Sequence, residues 1–257
     1  MENLIKKEQG FEYVEQGEGP VLLILHGLFG AMSNFADVVG EFSKDFRVLI
    51  PLMPIYEKSK FKPTCEGLTS FVYEFINFKD LRNISLLGNS LGGHIGLMYC
   101  LENQDRVSTL TLTGSSGLFE SGMGSSFPKR GTYEYVKERV EYTFYSPDTA
   151  TPELVDEVFR IVNDNMAALR ILRFARSAQN HNMRNVVGKI SVPTLLIWGL
   201  NDNITPPRVA YEFDALIPNT ELHFIDHCSH APMMEQPEEF NRILRSFLYK
   251  HTEPVAR

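Results

Sequence analysis

The chain has 257 residues, of which 43% are hydrophobic and 22% are charged, and its formal net charge is −7. This composition is typical of one large globular α/β domain, or of a domain with an insertion. The negative charge argues against nucleic acid or an anionic membrane as a partner. Three widely spaced cysteines, Cys65, Cys100 and Cys228, have no metal-binding spacing and fit a reducing compartment.

The N-terminal segment MENLIKKEQG lacks the apolar stretch of a secretory signal peptide. No apolar run approaches the length that a membrane span requires. We therefore expect a cytoplasmic protein that binds neither membrane nor nucleic acid and whose partner is a small molecule. A homodimer is left open by the sequence.

The first half of the chain alternates predicted strands and helices. Apolar runs predict strands at 21–25, 46–50, 84–87 and 107–113, with a short edge strand at 11–14. Apolar residues at helical spacing predict helices at 34–42, 68–78 and 93–100. Continuous apolar runs of strand length are typical of strands that are buried on both faces, so we expect a central, largely parallel sheet.

The alternation stops at Gly114 and resumes some 80 residues later. Three helical patterns, at 132–144, 152–162 and 165–178, follow one another with no strand between them. Strands at 194–198 and 221–225 and helices at 207–216 and 237–249 then restore the alternation. Such a block indicates an insertion. We predict a doubly wound, mostly parallel α/β core of residues 1–117 and 189–257, with a helical cap of residues 118–188.

A Gly-x-Ser-x-Gly stretch lies between the predicted strand at 84–87 and the predicted helix at 93–100, with Ser90 at its centre. We expect that a tight turn leaves no room for side chains at Gly88 and Gly92. A strand–turn–helix of this kind exposes the serine hydroxyl above the sheet. It also places the backbone N–H of Leu91 at a helix N-terminus, where it can stabilise an oxyanion. A serine that only caps a glycine-rich turn is the alternative.

A nucleophilic serine needs a base, which a carboxylate usually orients, and in open α/β sheets such residues follow the carboxyl ends of strands. Asp202 follows the predicted strand at 194–198, and His227 and His230 follow the strand at 221–225. The chain order Ser90, Asp202, His230 is the one expected after a nucleophile elbow. We predict this triad, with His227 as the alternative base and a turn-forming role as the alternative for Asp202.

These motifs resemble the α/β-hydrolase superfamily, in its serine-nucleophile branch, along nearly the whole chain. Ser90 matches the family's nucleophile, Asp202 in WGLND its acid and His230 in HCSHAPMMEQP its base. The resemblance implies an α/β-hydrolase fold with a helical cap inserted after the sixth strand. It also implies catalysis without a metal or an organic cofactor.

The resemblance extends to the segment His26-Gly27-Leu28, which is similar to the family's second oxyanion segment. It implies an oxyanion hole formed by the backbone N–H groups of Leu28 and Leu91. We expect His26 to hold this loop in place, and His94 to be packed or hydrogen-bonded beneath the site.

The walls of the substrate pocket are predicted in outline. We expect Phe29, Asn34, Asn89 and Tyr56 to face it, with packing as the alternative for Tyr56. Aromatic and apolar residues of the cap suggest an apolar acyl or alkyl pocket, unless they hold the cap on the sheet: Phe119, Phe127, Tyr133, Tyr135, Tyr142, Phe144, Tyr145 and Met166.

The substrate class remains divided between three alternatives. The stretches Gly-Asn-Ser-Leu-Gly-Gly and Ser33-Asn34-Phe35 resemble the carbon–carbon bond hydrolases that cut meta-cleavage products. The cap arginine of those enzymes falls near Val158, with Arg160 out of register, and their aromatic residue after the histidine is replaced by Ala231. We therefore predict a carboxylesterase that works by two-step acyl transfer. A carbon–carbon hydrolase or enol-lactonase, and a small-molecule receptor, are the alternatives.

Overall fold

The computed structural model describes residues 4–29, 32–119 and 129–252. Its strands are β1 (Ile5–Glu8), β2 (Phe11–Gln16), β3 (Val21–Leu25), β4 (Arg47–Pro51), β5 (Ile84–Asn89), β6 (Val107–Thr113), β7 (Thr194–Gly199) and β8 (Thr220–Ile225). Its helices are α1 (Ala36–Phe42), α2 (Cys65–Phe78), α3 (Leu91–Glu102), α4 (Tyr133–Glu141), α5 (Pro152–Asn163), α6 (Asn165–Asn180), α7 (Pro207–Leu216), α8 (Pro232–Glu235) and α9 (Pro237–His251).

The strands form one sheet in the order β1-β2-β4-β3-β5-β6-β7-β8. Every neighbouring pair from β4 to β8 is parallel, and only β1–β2 and β2–β4 are antiparallel. The predicted doubly wound, mostly parallel sheet is confirmed. The prediction of an edge strand at 11–14 is wrong, because β1 covers that strand, with Ile5 paired to Val14. The charged run IKKE of β1 gave no apolar signal for a strand.

Two apolar cores lie on the two faces of the sheet. Leu23 and Leu25 of β3 belong to a cluster with residues of α2, α3 and α7. Leu22 and Ile24 belong to the opposite cluster, with residues of α1 and α9. Alternate residues of a strand point to opposite faces, so a continuous apolar run is required when helices cover both.

The three predicted cap helices are present as α4, α5 and α6, in the connection between β6 and β7. Valines of α4 and α5 join one apolar core, whereas Ile171 and Phe174 of α6 join the other. The three inserted helices therefore pack against both apolar cores. Helix α4 ends at Glu141, a few residues before the predicted end. None of the helices in the described ranges has the length and apolar character that a membrane span requires.

Candidate active site

Ser90 occupies a strained turn between β5 and α3. Its backbone has φ 54° and ψ −119°, a conformation that residues with a side chain rarely adopt. The Ser90 N–H donates to the carbonyl oxygen of Thr113, at 3.1 Å. A Cβ atom on Gly92 would lie 2.0 Å from the carbonyl oxygen of Leu25, and one on Gly88 would lie 2.5 Å from the Cα of Gly93. The expected lack of space beside the serine is confirmed.

Asp202 and His230 meet at the same edge of the sheet, on the loops after β7 and β8. The Nδ1 atom of His230 lies 2.9 Å from Oδ2 of Asp202, and both residues are buried. A carboxylate can only accept, so Nδ1 carries the proton and donates it to Asp202. This tautomer leaves Nε2 of His230 with a lone pair.

Asp202 is itself held by Thr205. The backbone N–H of Thr205 donates to Oδ1 of Asp202, at 2.9 Å, and its hydroxyl donates to Oδ2, at 2.8 Å. The indole N–H of Trp198 in turn donates to the carbonyl oxygen of Thr205, at 2.7 Å. Asp202 therefore combines the turn-forming role with contact to His230. Sequence reasoning did not identify Thr205, because nothing but its position three residues after Asp202 marks it.

His227, the alternative base, lies away from this pair. Its Nδ1 atom is 3.5 Å from Asp226, and both side chains are 68% exposed. Its ring packs edge-on against Tyr145. The structure thus brings His230, and not His227, to Asp202.

Glu235 fixes the loop that carries His230. Its Oε1 atom accepts the backbone N–H groups of Ser229, at 3.0 Å, and Ala231, at 3.2 Å, on either side of the histidine. Its Oε2 atom accepts the N–H of Tyr145, at 2.6 Å. Burial raises the pKa of Glu235, although these hydrogen bonds act in the opposite direction. Sequence reasoning missed this residue, whose signal is an acidic position in the short helix after His230.

The segment His26-Gly27-Leu28 passes directly beside Ser90. The N–H of Met53 donates to Nε2 of His26, at 3.0 Å, so Nδ1 of His26 is protonated and donates to the carbonyl oxygen of Gly27, at 2.9 Å. Burial lowers the pKa of His26, which favours this neutral form. The expected loop-holding role of His26 matches this geometry. Leu91 is the first residue of α3, so its N–H is one of those without a partner inside the helix.

Tyr56 is placed differently from the prediction that it faces the pocket. Its hydroxyl donates to the carbonyl oxygen of Leu28, at 2.8 Å. Tyr56 is not among the described residues that line the active-site cavity. Burial raises the pKa of Tyr56, so its hydroxyl stays protonated and remains a donor.

A cavity of about 190 Å³ opens beside Ser90 and His230. Phe29, Asn34 and Asn89 line it, as predicted. The cap contributes apolar walls: Tyr135, Val136, Val140, Phe144, Leu154, Val158 and Val162. Of the other cap residues expected there, five are exposed on the surface, namely Phe119, Tyr133, Tyr142, Tyr145 and Met166. Phe127 lies outside the described residues.

Two arginines, Arg130 and Arg139, are among the described residues that line this largely apolar cavity. Sequence reasoning missed both and looked for a cap arginine near Val158, which is an apolar wall residue in the structure. Arg160 is exposed, and it is not among the described lining residues. The signal for Arg139 is its helical register, since it lies on the same face of α4 as Val136 and Val140, which face the core.

His94 lies beneath the elbow, on α3, and is fully buried. Its Nε2 atom is 2.9 Å from Nδ1 of His181, the residue directly after α6, and the two rings are stacked. Burial, together with the neighbouring imidazole, lowers the pKa of His94 to about 3. The expected packing of His94 is confirmed, whereas sequence reasoning assigned no role to His181. Within the described ranges no group of histidine, cysteine and acidic residues could hold a metal ion.

The chain is similar to known hydrolases over nearly its whole length. Residues 20–237 match the family described as alpha/beta hydrolase fold. The chain is 28% identical to the 2-hydroxy-6-oxo-6-(2'-aminophenyl)hexa-2,4-dienoic acid hydrolase of Metapseudomonas resinovorans, over 94% of this chain and 88% of that protein. It is 27% identical to the 2-hydroxy-6-oxo-6-phenylhexa-2,4-dienoate hydrolase of Comamonas testosteroni, over 92% and 90%.

Solved structures show the same relationship. An α/β hydrolase enzyme, MGS-MChE2, from the metagenome of sediments of the Mar Chica lagoon is 40% identical, with a TM-score of 0.78 over 96% of this chain and 98% of that one. The meta-cleavage product hydrolase CumD of Pseudomonas fluorescens IP01 has a TM-score of 0.86 at 19% identity, over 97% and 100%, which shows a shared fold. The chain belongs to the α/β-hydrolase family and is an enzyme of the serine-hydrolase class.

Proposed function

We propose that Ser90, His230 and Asp202 are the catalytic triad of this enzyme, with the backbone N–H groups of Leu28 and Leu91 as its oxyanion hole. The observation that carries the proposal is the buried pair of His230 and Asp202 beside a serine in a strained turn. Ser90 and His230 line one cavity. The protonation of Nδ1 leaves Nε2 as the nitrogen that can accept the serine proton.

The reaction proceeds by acyl transfer in two steps. Ser90 Oγ attacks a carbonyl carbon while His230 Nε2 accepts its proton, and Asp202 stabilises the imidazolium that forms. Two N–H donors directed at the developing oxyanion can each lower the barrier by roughly 3 kcal/mol. His230 then gives its proton to the leaving atom, and a water molecule that is deprotonated by His230 releases the acid from Ser90.

The two cavity arginines point to the substrate class. Arg130 and Arg139 are half-buried and line the cavity next to its apolar residues. Arg130 donates to Oδ1 of Asn165, at 2.8 Å, and the guanidinium group of Arg139 lies over the ring of Tyr142. A guanidinium group in such surroundings favours a carboxylate ligand, because charge-assisted hydrogen bonds strengthen away from water. A neutral ester makes no use of these groups. We therefore propose a substrate that combines a reactive carbonyl, an apolar portion and a carboxylate.

A carbon–carbon bond hydrolase of a 2-hydroxy-6-oxo-dienoate fits these requirements best. The printed names of the relatives describe hydrolases of such acids. In the balanced reaction the bond between the keto carbon and the neighbouring dienoate carbon breaks. The keto carbon takes the hydroxyl of water and becomes an acid, and the dienoate carbon takes the proton.

Hydrolysis of a carboxylic ester is the second candidate, and two observations favour it. Val158 stands where the resemblance expects an arginine, and Ala231 follows the histidine in place of an aromatic residue. The attack by Ser90 is the same for both substrates, so the choice between them depends on the cavity walls and on the leaving group.

A comparison of two substrates tests the proposal. We expect the kcat/KM of wild type for 2-hydroxy-6-oxo-6-phenylhexa-2,4-dienoate to exceed that for p-nitrophenyl butyrate by roughly 100-fold, about 2.7 kcal/mol. The variant Ser90→Ala should lose both activities. A higher kcat/KM for the neutral ester would favour the esterase. Tight binding of the dienoate without turnover in wild type would favour a receptor.

A further inference from the structure

A buried arginine connects the cap to a loop behind the active site. Arg170 of α6 is 6% exposed. Its Nη2 group donates to the carbonyl oxygen of Pro54, at 2.7 Å, and its Nε group donates to that of Ile55, at 3.1 Å. Burial, with a smaller effect of Arg173, lowers the pKa of Arg170. A buried charge is costly unless hydrogen bonds satisfy it, so these carbonyl groups are fixed partners.

The loop that Arg170 contacts is also hydrogen-bonded, directly or through His26, to the carbonyl groups of Gly27 and Leu28. Met53 donates to His26, which donates to the carbonyl oxygen of Gly27. Tyr56 donates to the carbonyl oxygen of Leu28 itself. Residues 53 to 56 therefore carry, within four positions, the Arg170 contacts and both supports of the oxyanion segment.

Because a peptide bond is planar, a hydrogen bond to a carbonyl oxygen also fixes the direction of the N–H group in the same peptide. The carbonyl group of Gly27 and the N–H of Leu28 belong to one planar trans peptide, in which they point in opposite directions. A hydrogen bond from His26 that fixes the Gly27 oxygen therefore fixes the direction of the Leu28 N–H. The bond from Tyr56 to Leu28 fixes the next peptide plane in the same way.

We infer that Arg170 is a positioning residue of the oxyanion hole. From the cap it holds residues 53–56, and through His26 and Tyr56 these residues aim the Leu28 N–H at the developing negative charge. The inference rests on the proposed function, since it takes Leu28 as an oxyanion donor. It predicts that the placement of α6 controls catalysis as well as the shape of the cavity.

The competing explanation is that Arg170 only attaches the cap to the core. A looser cap would alter substrate binding and thermal stability, and so would raise KM. A misdirected oxyanion donor would lower kcat with little change in KM, because its hydrogen bond strengthens in the transition state. The two explanations therefore differ in which kinetic constant changes.

The experiment compares Arg170→Met and Arg170→Lys with Arg173→Met, whose arginine lies one turn further along α6 and is exposed. The readouts are kcat and KM with p-nitrophenyl butyrate, and the second-order rate constant of Ser90 modification by a fluorophosphonate. We expect Arg170→Met to lower kcat and the modification rate by roughly 10- to 100-fold, with KM within about threefold. Arg170→Lys should be intermediate, and Arg173→Met should match wild type.

Tyr56→Phe provides a second variant that removes a single hydroxyl. It should lower kcat in the same manner, and the double variant Arg170→Met/Tyr56→Phe should lose less than the product of the single losses, since both act through the same loop. Hydrogen exchange should be faster in residues 26–29 of Arg170→Met than in those of Arg173→Met.

The outcomes separate the two proposals. If the wild-type enzyme shows no modification of Ser90 and no turnover, the proposed function fails. If wild type is modified and active, a loss in Arg170→Met that is confined to KM and melting temperature overturns the inference. Unchanged kcat and unchanged exchange at residues 26–29 in Arg170→Met overturn it as well.

Discussion

The imidazole of His230 donates from Nδ1 to a carboxylate oxygen of Asp202 that also accepts the hydroxyl of Thr205. The bond fixes the histidine tautomer, and Thr205 fixes the carboxylate. An amide at position 202 can donate to Nδ1 and so favour the wrong tautomer. We expect Asp202→Asn to lower kcat by roughly 10³- to 10⁴-fold.

The measurement for Asp202→Asn is steady-state kinetics alongside thermal unfolding. Thr205→Val serves as the graded comparison, because it removes one hydroxyl and leaves the Asp202–His230 bond in place. A decrease in kcat of no more than tenfold for Asp202→Asn, in a folded variant, would show that Asp202 does not orient the base.

The cavity arginines provide a prediction about charge. Arg139→Met should raise KM for the dienoate substrate by roughly tenfold or more, since a charge-assisted hydrogen bond contributes about 1.5 to 3 kcal/mol. KM for p-nitrophenyl butyrate should change by less than about twofold. Arg160→Met is the matched control, because that arginine is exposed on the neighbouring helix α5. Equal effects of Arg139→Met on both substrates would contradict a role in binding the carboxylate.

The elbow allows a steric prediction. A Cβ atom at Gly92 would lie 2.0 Å from the Leu25 carbonyl oxygen and 2.6 Å from that of His26. Both contacts are backbone atoms, so the main chain would have to shift to make room for it. We expect Gly92→Ala to lower the free energy of unfolding by about 1 to 3 kcal/mol. It should also lower kcat, because the segment directly after β3 contains Leu28, the proposed oxyanion donor. Gly40→Ala is the control, since a Cβ atom at Gly40 in α1 would contact nothing within 4 Å. Urea unfolding should show Gly40→Ala unchanged or more stable.

Glu15 of β2 links pH to stability. Its carboxylate forms ion pairs with Lys6, Arg47 and Lys79. Burial alone would raise the pKa of Glu15, but the hydrogen bonds from these three groups lower it to about 2. The folded pKa is below the value of 4.5 for the free side chain. The stabilisation is therefore complete above pH 4.5 and is lost as the pH falls towards 2.

Urea unfolding of wild type and Glu15→Gln at several pH values measures this contribution. The variant should be less stable by about 1 to 2 kcal/mol at pH 7, a value reduced by the partial exposure of the partners. The difference should shrink between pH 5 and pH 3. A difference that is constant across this range would contradict the ion-pair origin.

Sequence patterns sufficed for the sheet apart from β1 and for the three residues that we propose as the catalytic triad. Ser90 and Asp202 each follow a fully buried strand, and His230 follows the edge strand β8, whose sequence is only partly apolar. The carboxyl ends of these parallel strands meet at one edge of the sheet. The elbow glycines follow from the same argument, since the tight turn excludes side chains. By contrast, β1 was not predicted, because a charged edge strand has no buried face and therefore no alternation of apolar residues.

The residues that support the site could not be predicted from local patterns. Arg170 contacts carbonyl groups more than a hundred positions earlier in the chain, and any residue type can supply a carbonyl group. Tyr56 lies in an irregular loop, where no periodicity indicates the direction of a side chain. Arg139 could have been predicted, because an arginine on the buried face of an amphipathic helix requires a polar, charged or aromatic partner.

Intact mass spectrometry after treatment with a fluorophosphonate tests the central claim, that Ser90 is the nucleophile, most directly. We predict a single adduct on the wild-type protein, mapped to Ser90 by peptide analysis, with parallel loss of ester and dienoate turnover. Ser90→Ala should remain folded, unlabelled and inactive. An unlabelled wild-type protein, or a Ser90→Ala variant that retains turnover, would contradict the account.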